Sequence, residues 1–528
     1  MAMLLGIDAG TTSLKVGLFD DEGRELAIAG EEYRLETPGP ERAELDPETY
    51  WRALVVAVRR VLSDPGSRGA AVEAIAVSSQ GETLIPVSAS GAALGPAIVW
   101  LDNRATTEAL ELAARFDLAT VYATTGVPAI VPTWPACKLL WWKRNDPKLF
   151  RSAARFLLLE DYLLFRLTGR FVTEGGVQSS SLMYDIVRHT WWTPMLDALE
   201  LSPGRLGELV EPGAVVGSLC PEAADALGLV PAVRVVAAGM DQGAGAVGVG
   251  NVAPGVVSES TGGGLAVAAS MERAGADPTC QVQVSVHSAP DTYLYLTVCP
   301  TGGMALTWFR DRFGQPEVAR AAVEGCSAYD LLTALAASAP PGSDGLTMLP
   351  HLAGAFTPEY EPDARGVFFG FTLGHGREHF VRAVLESVAF MLRRNLEVLR
   401  VAGADAQEVR SHGGGARSAL WNQIKADVCG LPVVTLQGSE SAVRGDAMLA
   451  GVAAGVFADL DDACRAAVRV KAQLEPDPTT RLVYDTAYRR YIDLFEAVRP
   501  LFRRSESLAA GQDDEKREAE IGLESRRL

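Results

Sequence analysis

Residues 4–7 form an unbroken apolar run, after which Leu14, Val16 and Leu18 alternate with Lys15 and Gly17. The first pattern marks a buried strand and the second a half-exposed one, so the polar stretch between them joins strand to strand. A turn at Asp20-Asp21-Glu22-Gly23 returns the chain through Leu26 to Tyr33, which predicts an antiparallel meander. Residues 47–62 carry Trp51, Leu54, Val55, Val58, Val61 and Leu62 at helical spacing behind Asp46 as N-cap. Short apolar runs predict further strands at 72–77, 96–100, 233–240, 256–259, 265–267 and 409–412. Helices are predicted at 106–115, 138–143, 156–166 (with Glu160 and Asp161 inside), 241–248, 380–399 and 421–428. Polar or proline-rich composition predicts loops at 126–135 and 173–181.

What the strands run into carries the chemistry. The first hairpin tip holds Asp8, Gly10, Thr11, Thr12 and Ser13. A Rossmann turn or a P-loop would need a helix there, and no GxxxxGK[ST] occurs in the chain. Gly10 lets a ligand approach the backbone, the three hydroxyls can donate to phosphate oxygens, and Asp8 can hold magnesium through water. An ordinary polar hairpin is the alternative. The strand at 72–77 ends at Ser78-Ser79-Gln80-Gly81-Glu82-Thr83, and carboxyl ends of strands are where α/β sheets bind ligands. The strand at 233–240 runs into Asp241-Gln242-Gly243 and a glycine-rich helix ending at Gly248. Each glycine costs such a helix roughly 1 kcal/mol, so close packing or a ligand must compensate, and Asp241 stands at its positive end.

Strand 256–259 leads to Ser260-Thr261-Gly262-Gly263-Gly264 and then to strand 265–267, repeating the order of the opening stretch. The two turns suggest an internal duplication with a ligand clamped between the halves. Glycines 413–415 lead instead into a helix, where a nucleotide could rest on backbone amides or the glycines could simply pack strand on helix.

Composition narrows the classes. A chain of 528 residues, 48% hydrophobic and 22% charged, suits two or more large globular domains, and a net charge of −18 argues against nucleic-acid or anionic-membrane partners. Seven scattered cysteines without a CxxC pair read as reduced thiols of a cytoplasmic protein. With neither a basic leader nor an apolar run long enough for a bilayer, the chain is expected to be neither exported nor anchored. His375 and His379 are four apart but lack the glutamate of a zinc motif, and they are expected to cap a helix start.

Taken together, Asp8 to Lys15, Gln80 to Thr83, Trp100-Leu101-Asp102-Asn103-Arg104, Gly239 to Gln242, Ser260-Thr261-Gly262, Ala364-Arg365-Gly366, Arg382 to Glu386 and Gly413 to Ser418 resemble the FGGY family of carbohydrate kinases. The resemblance spans roughly residues 4–499 in order. It implies an α/β protein of two actin-like, RNase H-like (ASKHA) domains around a central cleft. Residues 1–248 would hold the sugar and part of the phosphate site, 249–502 the nucleotide, and 503–528 a charged disordered tail. It further implies ATP and Mg2+, with Asp241 as catalytic base and Asp8 on the magnesium side. Thr11, Thr12, Thr261 and Gly303 fall on phosphate-contacting turns and Gly414 and Gly415 on the adenosine site, and Gly10, Ser13, Lys15, Gly262 and Ser418 complete the expected ATP-binding set. Gln80, Gly81, Glu82, Asp102, Arg104, Asp241 and Gln242 would face the acceptor, although a structural salt bridge is the alternative for Asp102 and Arg104.

In glycerol kinases the segment matching residues 80–83 reads Gln-Arg-Glu-Thr, and in xylulokinases the matching place carries Gln-Met-His. Gly81 departs from both, Glu82 keeps the glycerol kinase pattern but departs from the xylulokinase one, and a tyrosine contact of glycerol kinases falls near Thr133, so a roomier pocket is expected. A ketopentose or a four- to five-carbon polyol is favoured over glycerol, with xylulose first; a kinase for another polyol such as glycerol or erythritol is the alternative. A catalytically silent actin-like nucleotide-binding regulator is the other reading. The resemblance leaves room for a homodimer and implies small-molecule partners alone, the sugar and ATP.

Overall fold

The computed structural model describes residues 2–524 except 65, 67–70, 276 and 439, with side chains as far as Phe502. The tail expected at 503–528 therefore lies outside the fully described residues.

The predicted meander is β1 (Ala2–Ala9), β2 (Ser13–Asp20) and β3 (Glu25–Glu32). Its second turn closes where Asp20 accepts from the amides of Glu22 and Arg24 at 3.0 and 2.9 Å. Helix α1 (Pro47–Leu62) begins where the Asp46 carboxylate accepts from Glu48 N at 3.1 Å, and it buries Tyr50, Leu54, Val58 and Val61. Strand β4 (Ala71–Ser79) follows, then helices α2 (Pro135–Asn145) and α3 (Leu159–Thr168), strands β5 (Val215–Ser218) and β6 (Arg234–Met240), and helix α4 (Asp241–Gly248). The strands assemble in the order β5-β6-β4-β1-β2-β3, with β6, β4 and β1 parallel.

The second half builds the same pattern from β7 (Val256–Thr261), β8 (Leu265–Met271), β9 (Gln283–Val286), β10 (Tyr293–Cys299), β11 (Glu408–His412), β12 (Val433–Leu436) and β13 (Val470–Leu474). Its order is β9-β10-β8-β7-β11-β12-β13. Here β10-β8-β7 is the antiparallel meander and β7, β11 and β12 run parallel, as β3-β2-β1 and β1-β4-β6 do in the first sheet. The duplication suggested by the two turns is thus present as two sheets of like topology.

Helices α5 (Met304–Phe313), α6 (Arg377–Val401), α7 (Ala419–Cys429), α8 (Ser441–Ala454) and α9 (Arg481–Glu524) complete the frame. Although α8 comes from the second half, it packs on β1 of the first sheet and crosses α4. A Cβ on Gly248 would lie 1.8 Å from the Ser441 carbonyl oxygen, and one on Gly445 1.9 Å from that of Ala244. Close packing is therefore what offsets the helix cost of these glycines.

Three predicted segments differ. Residues 156–166 are not one helix: Arg155–Leu158 is a strand paired with Leu84–Val87, and α3 starts only at Leu159. A short, fully buried apolar run has no periodicity with which to tell strand from helix. Residues 173–181 are not an exposed loop, since Val172–Glu174 is a strand and Gly175–Gln178 a turn of helix, all buried. Glu174 caps that turn itself by accepting from the amides of Gly176, at 2.6 Å, and Val177. The strand expected at 96–100 is reduced to Ala97–Ile98.

Candidate active site

Strand register brings the chemistry to one edge. Asp8 of β1 pairs with Ser78 of β4, and Ser79 pairs with Met240 of β6, the residue before Asp241. Neighbouring strands lie about 4.8 Å apart, which sets the backbones of Asp8 and Asp241 roughly 10 Å apart across the sheet, at the carboxyl ends of parallel strands. Burial, reinforced by the charge of Asp241, pushes Asp8 up to about 7 against the pull of Lys15. Burial also raises Asp241 to about 7, aided by the Glu82 carboxylate and opposed by the Gln242 amide, which donates to Asp241 Oδ1 at 2.7 Å.

A third carboxylate joins them that sequence reasoning missed. Helix α8 lowers Asp446, with no exposed surface, onto Ser78, whose Oγ donates to it at 2.9 Å. Burial and then the neighbouring Asp8 hold it well above the usual carboxylate range. The available signal was a charge at a position where Val443, Ala447, Met448 and Ala450 mark a buried face. Asp8 Oδ1 and Asp446 Oδ1 find no hydrogen-bond partner among the described residues. Nor do three acidic, histidine or cysteine side chains converge there to coordinate a metal ion directly.

At the end of β4, Gln80 Nε2 donates to the Tyr50 hydroxyl at 3.1 Å while its Oε1 has no hydrogen-bond partner among the described residues. Glu82 sits at a turn with φ of 56°. Burial raises Glu82 to about 6, opposed by a hydrogen bond from Ser180 and by Lys138. Lys138, from α2, is itself buried and donates to the carbonyls of Glu82 and Val99 at 2.9 and 3.0 Å; burial lowers it to about 7. Gly81 is not beside open space, because a Cβ there would stand 3.1 Å from Ser180 Oγ and 3.3 Å from Met240 Sδ.

Asp102 and Arg104 are engaged with each other. Asp102 is fully buried and accepts from the Ala43 and Arg104 amides at 2.7 and 3.0 Å and from the Arg104 guanidinium at 2.6 and 2.8 Å. Arg104 also binds Glu44 at 2.5 Å and lies over the Trp141 ring. With every Asp102 lone pair engaged, the structural alternative fits this pair.

The two hydroxyl–glycine turns are held from behind. Thr11 Oγ1 accepts from Trp100 Nε1 at 2.9 Å, Gly10 N donates to Ser13 O at 3.1 Å, and Thr12 O accepts from Tyr33 N at 3.0 Å. In the second turn the Gly303 amide donates to Gly262 O at 2.9 Å, and a Cβ on Gly303 would come within 2.4 Å of that oxygen. Gly262 is exposed with nothing near its Cα face. The Thr261 hydroxyl is engaged elsewhere, between Glu259 and Lys425, a fully buried ion pair at 2.9 Å that sequence reasoning also missed. Burial would raise Glu259, but Lys425 and the hydroxyls of Ser411 and Thr261 hold it below its usual value.

A cavity of about 400 Å³ opens beside these turns, lined by Lys15, His412, Gly414, Gln437, Glu440 and Arg444 among others. Lys15 Nζ and Glu440 Oε2 bridge it at 2.6 Å. Of the positions expected at the nucleotide, Gly414 lines this cavity, whereas Gly415 packs on Thr261 and Ser418 Oγ caps α7 by accepting from Trp421 N at 3.2 Å. His379 caps α6, its Nδ1 accepting from Gly376 N at 3.1 Å.

Residues 3–248 match the N-terminal domain, and residues 269–454 the C-terminal domain, of the FGGY family of carbohydrate kinases. The chain is 33% identical to the xylulose kinase of Escherichia coli K12, over 86% of this chain and 90% of that one. It is 29% identical to the gluconokinase of Bacillus subtilis 168, over 87% and 89%. The crystal structure of xylulose kinase from Rhodospirillum rubrum superposes with a TM-score of 0.86 at 29% identity, covering 95% of this chain and all of that one.

Proposed function

Because the chain belongs to the FGGY family of carbohydrate kinases, and so is an ATP-dependent sugar phosphotransferase, we propose that its acceptor is a ketopentose, xylulose first, with Asp241 as the catalytic base. The observation that carries the reading is the register that sets Asp241 and Asp8 at one edge of one sheet. The acceptor hydroxyl would give its proton to Asp241 as its oxygen attacks the γ-phosphorus; the bond from that phosphorus to the bridging oxygen breaks, and ADP leaves with the pair. A base near neutrality suits the task, being ionised at working pH yet still able to take a proton. Gly262 and the amides of the first turn would carry the phosphate oxygens, and Gly414 the nucleotide. Asp8, with its free buried oxygen, fits a hydrated magnesium ion, which when bound neutralises phosphate charge.

Sugar choice rests on charge as well as on kinship. Glu82 and Asp241 interact electrostatically, so an acceptor carrying its own carboxylate, such as gluconate, would be repelled. The same proposal takes 1–248 and 249–502 as the two domains and the cytoplasm as the compartment.

Purified protein supplied with ATP and magnesium should phosphorylate xylulose with a higher kcat/KM than ribulose, erythritol, glycerol or gluconate. Preference for glycerol or gluconate would overturn the acceptor assignment, and ATP binding without transfer to any acceptor would favour the silent regulator.

A further inference from the structure

Gly81 has no side chain, yet the space beside it is filled. Met240, the last residue of β6, is only 6% exposed, and its Sδ would stand 3.3 Å and its Cγ 3.8 Å from a Gly81 Cβ. The same side chain belongs to an apolar cluster with Ala268, Leu294 and Leu296 of the second sheet. Met240 therefore reaches from the strand that presents Asp241, past the acceptor-facing segment 80–82, to the opposite lobe.

We propose, building on the kinase reading above, that Met240 is the specificity-determining residue that limits acceptor length, closing the pocket beside Gly81 so that five-carbon acceptors fit and six-carbon ones do not. The chemistry suits a limit on size. A thioether offers neither a charge nor a strong hydrogen bond to a hydroxyl, and it excludes carbon by volume alone. An unbranched side chain with three rotatable bonds is also a soft wall, so the limit is graded. Steric discrimination of one or two carbons amounts to roughly 10–200-fold in kcat/KM.

The test is the ratio of kcat/KM for a six-carbon to that for a five-carbon ketose. Met240→Ala should raise this ratio at least about tenfold, chiefly through a lower KM for the longer sugar, while the near-isosteric Met240→Leu should leave it near the wild-type value. Gly81→Ala, which adds carbon against Met240 Sδ from the other side, should lower the ratio, and Met240→Ala should relieve that loss in the double variant. An unchanged ratio in folded, active Met240→Ala overturns the proposal, as do strictly additive effects at 81 and 240. If Met240→Ala does not fold, as judged by thermal unfolding, the Gly81→Ala and Met240→Leu ratios decide. Should the wild-type enzyme prefer polyols, the acceptor assignment fails, and the same ratio between hexitol and pentitol still tests Met240.

Discussion

Asp241 owes its basicity to burial and to Glu82, and that fixes what its removal should do. Asp241→Asn should lower kcat by about 10²–10⁴-fold while ATP still binds, measured by steady-state turnover and calorimetry. Below about 7 the carboxyl holds its proton and cannot accept another, so wild-type kcat/KM should rise through pH 6–8. The residual activity of the asparagine variant should lose that limb. Lys15 poses a different question, since its ammonium is held by Glu440 rather than left free for phosphate. Glu440→Gln should release it and tighten ATP binding about two- to fivefold, the scale of a partly exposed ion pair. An unchanged dissociation constant would mean that Lys15 does not meet the nucleotide. Asp8, Gln80, Glu82 and Asp241 were legible as candidates because each lies at the end of a strand in a short polar cluster. The ion pair of Asp102 with Arg104 was legible as an alternative, two residues apart, whereas the Ala43 amide that completes it lies 59 residues away.

Among the elements, α4 and α8 cross backbone to backbone, and each presents a carboxylate to the site. Gly445→Ala would place a methyl group 1.9 Å from the Ala244 carbonyl oxygen and force the helices apart. A loss of about 1–3 kcal/mol is expected, read as a lower apparent Tm together with lower kcat, because Asp241 and Asp446 ride on these helices. Thermal unfolding and turnover at saturating substrate check both. An intact Tm with reduced kcat would point instead to a local shift of the base. The glycine-rich sequence of α4 announced a close neighbour but not its identity. Strand Arg155–Leu158 was misread as helix for the converse reason: only pairing with Leu84–Val87 makes that apolar run a strand.

Across the whole molecule, the fold is loaded with buried acid. Burial raises Asp161 and Glu174 each to about 7, and Glu160 well above its usual range. A carboxyl whose folded value exceeds its unfolded one is neutral in both states at low pH and must ionise in an unfavourable place as pH rises. Stability from this source is therefore full near pH 4 and lost by pH 7–8. Asp161→Asn, which keeps an acceptor for the Leu158 amide, should flatten the fall in Tm between pH 5 and 8; an unchanged slope would remove Asp161 from the account. The chain alone determined the first meander, two hydroxyl–glycine turns and an acid at the end of each key strand, because periodicity, turns and caps are set by residues within a few positions of one another. Only tertiary structure decided that Asp446 sits under Ser78, that Lys425 sits beneath Thr261, and that Met240 fills the gap at Gly81. Those contacts join residues more than 150 positions apart, and they exist only once parallel strands have taken their register and one helix of the second half has crossed onto the first sheet.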